Sequence, residues 1–236
     1  MSPPPSRPLA LGEVFAETIH RYGERLWAAL ALGAVYSVAL AAAALVHPAL
    51  YYVVAAVMLV AAYGVATRLV TGDSFGEAWA QVAVRIPVLG VLALVVGLPF
   101  ALAGSYLLLL VFGAFWLGLT GFAVPVAVVE APEDGRGWLP TVSYALERTL
   151  ALARAEYLHA VGVAAALLLV NVLLGVVLQL ALVGFADNTA LAGSVIAQFV
   201  LAPFFFLGLS VLYFEQRARA AARAAGGASP GNGRDT

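Results

Sequence analysis

Five stretches of this chain carry no charged side chain for 20 residues or more, and they constrain its fold more than any other feature. Leu26–Val46 has 21 residues, Pro48–Thr67 has 20, Ile86–Val129 has 44, Tyr157–Ala186 has 30 and Asn188–Phe214 has 27. A helix of about 20 residues spans the roughly 30 Å hydrocarbon core of a bilayer, where every backbone amide must bond within its own segment. The run from Ile86 to Val129 is about twice that length and must fold back once. The expected turn is at Gly104-Ser105, with Pro99 near the end of the third span and Pro125 inside the fourth, both as kinks. The prediction is an all-α polytopic membrane protein with six transmembrane helices in three hairpins. Composition agrees, at 63% hydrophobic and 11% charged residues, against about 45–50% and about 25% in soluble domains.

Arginine sets the orientation, because positive residues near span ends are retained in the cytoplasm. Arg7, Arg21 and Arg25 precede the first span, and Arg68 and Arg85 lie between the second and third. Arg136, Arg148 and Arg154 lie between the fourth and fifth; Arg217, Arg219, Arg223 and Arg234 follow the sixth. The opposite loops, at His47-Pro48, Gly104-Ser105 and Asp187, contain none. Both termini are therefore expected in the cytoplasm, and the even span count follows independently of hydropathy. The heavy use of Ala and the absence of Lys read as a GC-rich bacterial coding bias, which places the chain in a bacterial inner membrane. Residues 1–8 are Pro-rich, lack a secretory signal pattern and are expected to be disordered. Residues 9–217 form a single transmembrane domain, and 218–236 are a tail too poor in apolar side chains to bury a core, a frayed helix end followed by disorder.

Each predicted hairpin is preceded by a segment with helical apolar periodicity. The first sets Leu11, Phe15, Ile19 and Tyr22 against Glu13, Glu17, His20 and Glu24. The second opens on Ser74 and Glu77 at capping-box spacing and sets Glu77, Gln81 and Arg85 along one face. The third follows Pro140 with Tyr144, Glu147, Arg148 and Arg154. Phe15, Trp79 and Tyr144 recur at intervals of 64 and 65 residues, and Gly12-Glu13 recurs as Gly76-Glu77. The pattern suggests a threefold repeat of amphipathic interfacial helix plus hairpin, over 9–71, 72–137 and 138–217.

Several chemistries are excluded by what the chain lacks. Without Lys there is no phosphate-loop lysine and no Schiff base; without Cys there is no thiol nucleophile, disulfide or thiolate metal site. A net charge of −1 does not supply the clustered basic surface that nucleic acid requires. Glu17-x-x-His20 has the spacing of a carboxylate-bridged metal site but no second copy, so no metal and no cofactor is expected. No Gly-x-Ser-x-Gly elbow occurs and no His lies in a span beside a Ser, so no catalytic residue is assigned.

Two sets of polar residues stand out. Asn171 and Gln179 in the fifth span lie two turns apart with Gly175 between them, and Gln198 lies in the sixth. They form a candidate polar core, either as interhelical hydrogen bonds worth about 0.6–2 kcal/mol each or as the lining of a polar path. Glu130, Arg148, Arg154, Glu215 and Arg217 gather at predicted cytoplasmic span ends as candidate ion pairs. There Glu130 is expected to pair with an arginine of the third surface segment.

Three stretches carry a likeness to known proteins: Leu9-Ala10-Leu11-Gly12-Glu13-Val14-Phe15; Val129-Glu130 with Ala145-Leu146-Glu147-Arg148-Thr149-Leu150 and Arg154; and Tyr213-Phe214-Glu215-Gln216-Arg217. With the hydropathy, they make the chain resemble a group of bacterial six-helix membrane proteins that includes the membrane domain attached to some glycerophosphodiester phosphodiesterases. In those relatives an aspartate stands before the arginine where Glu215 stands here. The resemblance implies six helices and membrane residence. The soluble barrel that hydrolyses phosphodiesters has no counterpart in this sequence, so that activity does not carry over. The expected function is a non-enzymatic membrane scaffold or accessory subunit whose cytoplasmic surface helices contact membrane lipids or another membrane or cytoplasmic protein. The alternative is a permease or lipid-handling channel between the repeats, with Pro99, Pro125 and Pro203 breaking helices around a central path.

Overall fold

The structure, a computed structural model, describes residues 4–103, 107–131, 137–182 and 189–227. The expected turn at Gly104-Ser105, the loop at Asp187, and Arg136 and Arg234 lie outside the described residues. Every described element is helical: α1 (Leu11–Glu24), α2 (Leu26–Val46), α3 (Pro48–Thr71), α4 (Phe75–Val84), α5 (Ile86–Leu92), α6 (Leu98–Ala103), α7 (Leu107–Thr120), α8 (Ala123–Pro125), α9 (Trp138–Ala153), α10 (Tyr157–Leu182) and α11 (Thr189–Gly227). Two π-helical turns interrupt them, Ala93–Gly97 between α5 and α6 and Val126–Glu130 after α8. Five helices are long and apolar enough to cross a membrane, and a sixth span results if α4 and the helix Ile86–Leu102, bent by 79°, count together.

The hairpins place two kinds of helix in the bundle. α2 and α10 lead away from the arginines, and α3, α7 with α8, and α11 lead back. The returning helices are the buried ones: 50% of the apolar window of Pro48–Thr71 and 61% of those in Leu109–Glu130 and Val195–Ala225 lie inside, against 33% for α2 and 28% for α10. α3 and α11 therefore run parallel and in contact at the centre. The Tyr63 hydroxyl donates to the Leu209 carbonyl at 3.1 Å, and the fully buried hydroxyls of Thr67 and Ser210 meet at 3.1 Å. Phe122 packs on Tyr213, while Gly64 lets Val124 and Val128 close on α3.

A proline inside a helix leaves the carbonyl four residues earlier without its amide partner. Pro99 frees Val95, whose carbonyl instead accepts from the Trp116 indole at 3.0 Å. Pro125 is followed by the wide turn in which Ala131 donates to Val126, and Arg85 caps that helix end through the carbonyls of Ala127 at 2.6 Å and Ala131 at 3.2 Å. Pro203 frees Phe199, and α2 comes so close there that a Cβ on Gly33 would lie 1.9 Å from the Phe199 oxygen.

The three pre-hairpin segments are helices α1, α4 and α9. Ser74 accepts from the Glu77 amide and Glu77 accepts from the Ser74 amide, closing a capping box. α1 lies along α11: Leu9 reaches Glu215, Phe15 packs on Phe204, and the Tyr22 hydroxyl donates to Val200 at 3.1 Å. Its packed face is Val14, Thr18 and Arg21, rotated from the apolar arc read in the sequence, and Ile19 stands outward. Arg21 is tolerated inside because Glu17, one turn back, pairs with it at 2.7 Å.

Gly33→Ala should cost about 1–3 kcal/mol, because the methyl meets a backbone oxygen that cannot move aside. Gly175→Ala, with nothing within 4 Å of its Cβ position, should leave the melting temperature in detergent unchanged or raised. A second expectation concerns pH. The Ser74 hydroxyl and amide hold the Glu77 carboxyl below its ordinary value. A lowered folded-state value means that the contribution is complete above the unfolded carboxylate range and is lost as pH falls through the folded one. Amide exchange at the start of α4 should accelerate over that acid window, and Glu77→Gln should abolish the dependence.

Candidate functional site

Two polar networks close the arginine-bearing end. The first centres on Glu130, the last residue of the π turn after Pro125. One extra residue in that turn rotates its side chain away from where an uninterrupted α-helix would carry it. Its Oε2 accepts from Arg148 Nε at 2.9 Å, its Oε1 accepts from the Tyr213 hydroxyl at 2.6 Å, and Arg217 Nε stands 3.8 Å from the same oxygen. The bonded carboxylate raises the Arg148 guanidinium above its ordinary value. These contacts pin α9 to α11 and to the end of the fourth span.

The second network centres on Glu215, which is fully buried. Its Oε1 accepts from Arg219 Nε and from the Leu9 amide at 3.3 Å, and its Oε2 accepts from Gln216 Nε2 at 3.1 Å. Arg219 also donates to Glu156 and to the Leu9 carbonyl at 2.7 Å, with His159 Nε2 3.4 Å away. One guanidinium therefore joins the segment before α1, the segment before α10 and the end of α11. Burial of the pair is tolerated because the carboxylate is met by three donors and the cation by three acceptors. The exposed pair Arg7–Glu13, at 2.8 Å, extends the contact along the N-terminal segment.

Of the sequence-assigned ion pairs, Glu130, Arg148 and Arg217 come together. Arg154 is exposed and has no partner among the described residues. Glu215 pairs with Arg219 rather than Arg217; the helical spacing of four residues is the signal that pointed there. Leu9, Glu156 and His159 have no local signal, because their approach is tertiary. The networks bring together segments far apart in the sequence: Leu9 with Glu215, and Glu130 with Arg148, Tyr213 and Arg217. Glu17 and His20, spaced like metal ligands, are instead occupied by Arg21 and Glu24.

At the opposite end the bundle is hollow. A cavity of about 450 Å³ is lined by Asn171, Gln198, Tyr36, Tyr51 and Tyr52 among apolar side chains, including Phe100 and Phe205 stacked at 6.0 Å. Asn171 Oδ1 is buried there without a hydrogen-bond partner among the described residues. Gln179 is not part of this lining; it is exposed, and a Cβ on Gly175 would meet nothing within 4 Å. Of the predicted polar core, Asn171 and Gln198 share the cavity lining, and Gln179 faces outward. The cavity floor is Leu59 and Phe206, beyond which Tyr63, Leu209 and Leu212 are packed without exposure.

Comparison with protein-family models, curated proteins and solved structures returned no match.

Replacing Glu215 by Ala should cost about 3 kcal/mol or more, since Arg219 and Gln216 are left without their buried partner. Glu130→Gln should cost about 1 kcal/mol, because Arg148 is partly solvated and the amide oxygen still accepts from Tyr213. Thermal unfolding in detergent measures both; equal losses would show that burial does not rank the two networks.

Proposed function

We propose that this chain is a non-enzymatic integral membrane protein of a bacterial inner membrane, with both ends in the cytoplasm. Its arginine-bearing face is a docking platform for anionic headgroups or a partner protein. The observation that carries this reading is the construction of that face. Two polar networks tie α9 and the segment before α1 to α11, yet Leu11, Ile19, Val84, Leu139 and Leu150 stand outward on α1, α4 and α9, and Arg154 and Arg223 are exposed at the same end of the bundle. Apolar side chains at headgroup depth next to cations are what an interfacial helix presents. The non-enzymatic part rests on the sequence, which supplies neither a nucleophile–base pair nor a thiol or lysine. The central contact of the three returning helices supports the threefold-repeat reading. The meeting of the resemblance-bearing stretches supports kinship with the six-helix group.

Reconstitution in nanodiscs with and without phosphatidylglycerol tests the platform. Anionic lipid should raise the melting temperature, and Arg154→Gln with Arg223→Gln should remove much of that gain; no dependence on lipid charge would contradict it. The permease alternative needs a continuous path, and the packed layer of Tyr63, Phe206 and Leu209 supports a closed one. The chain has no Cys, so single-cysteine labelling has no background. A thiol at Gln198→Cys should react with an aqueous reagent from one side only and one at Leu209→Cys from neither; reaction at 209 from both sides would favour transport.

A further inference from the structure

The hollow end of the bundle joins a second feature. Between α7 and α10 runs a groove of about 430 Å³, lined by Leu110, Val111, Phe115, Val161, Ala165 and Leu169 and their apolar neighbours. Leu110, Leu168 and Val172 line both this groove and the polar cavity, so the two adjoin along a shared wall. From Val161 to Val172 the groove follows α10 for eleven residue steps, about 16 Å at the helical rise. That is the depth of one leaflet, half of a hydrocarbon core about 30 Å thick. Several of its walls, among them Val111, Phe115 and Leu169, are exposed on the membrane-facing side of the bundle.

The inner end sets the chemistry of the occupant. Its polar side chains are two amides and three tyrosines, and no charged residue lines the cavity among the described residues. A phosphate placed there would be desolvated without a cation to meet it. The buried oxygen of Asn171 has no donor among the described residues, so a ligand that satisfies it brings a hydroxyl or another hydrogen-bond donor. The rings of Phe100, Phe205, Tyr36 and Phe206 offer apolar faces around that group. We propose that the cavity and groove together bind a neutral, hydroxyl-bearing lipid of the diacylglycerol type, its head against Asn171 and Gln198 and one acyl chain between α7 and α10. The site depends on membrane residence but not on what the arginine-bearing face binds.

The test uses a diacylglycerol probe with a diazirine in its acyl chain, photolysed with the full chain in phosphatidylcholine nanodiscs. Crosslinks should concentrate on α7 and α10 between Leu110 and Val172. Unlabelled diacylglycerol should compete, and phosphatidylglycerol should not. Asn171→Leu should reduce the crosslink at least fivefold while leaving the melting temperature unchanged or higher, since it removes an unsatisfied buried oxygen. Gln198→Leu, on the facing helix, gives the same reading if the first variant fails to fold, and Ala165→Trp should block the groove from outside. Crosslinks spread evenly over the outer helix faces, equal labelling of the variants, or equal competition by phosphatidylglycerol would each overturn the proposal.

Discussion

The bundle depends on the contact between α3 and α11, the two parallel helices that return toward the arginines through its centre. In lipid there is no water to satisfy a stray polar group, so helix association rests on close packing and on hydrogen bonds that reach across the interface. The Tyr63 hydroxyl on the Leu209 carbonyl and the meeting of Thr67 with Ser210 supply those bonds in a layer that excludes solvent. Around this pair the third returning helix closes through Phe122, Val124 and Val128, leaving the outgoing helices to face the membrane.

The same accounting explains the irregular places. Three prolines lie within or at the start of helical runs, and the fold answers differently each time. Trp116 donates to the carbonyl freed by Pro99, an arginine caps the turn after Pro125, and Gly33 admits the carbonyl freed by Pro203 close against α2. The result is a molecule with unlike ends. The arginine-bearing end is closed by carboxylates at Glu130 and Glu215 that tie surface helices down, while the other end holds a cavity with an unsatisfied amide oxygen.

Much of the helix layout is legible in the sequence, because charge-free length is a direct consequence of what lipid tolerates. Every element among the described residues is helical, with five or six helices of membrane length. The start of α4 is legible from Ser74 and Glu77 alone, since a capping box is a local structure. The π turns are not, because periodicity arguments assume an unbroken helix; the turn after Pro125 is what aims Glu130 at Tyr213. Nor is the packed face of α1, where Thr18 and Arg21 point inward because a back-bonded hydroxyl and a neighbouring Glu17 satisfy them. In the candidate site, spacing places Asn171 and Gln179 on one stripe, but only tertiary contact decides that the stripe leaves the interior before Gly175. The Glu215–Arg219 pair is local and readable; its closure on Leu9, 206 residues away, is not.

The most direct test of this architecture is a disulfide between the two central helices. Thr67→Cys combined with Ser210→Cys in the cysteine-free chain replaces two hydroxyl oxygens that lie 3.1 Å apart. Mild oxidation in native membranes should link them nearly completely within one chain, while the pairing of Thr67→Cys with Gln179→Cys should not form. Failure of the first pair to oxidise in a folded protein, or equal yield from the second, would contradict a bundle built on the parallel contact of α3 and α11.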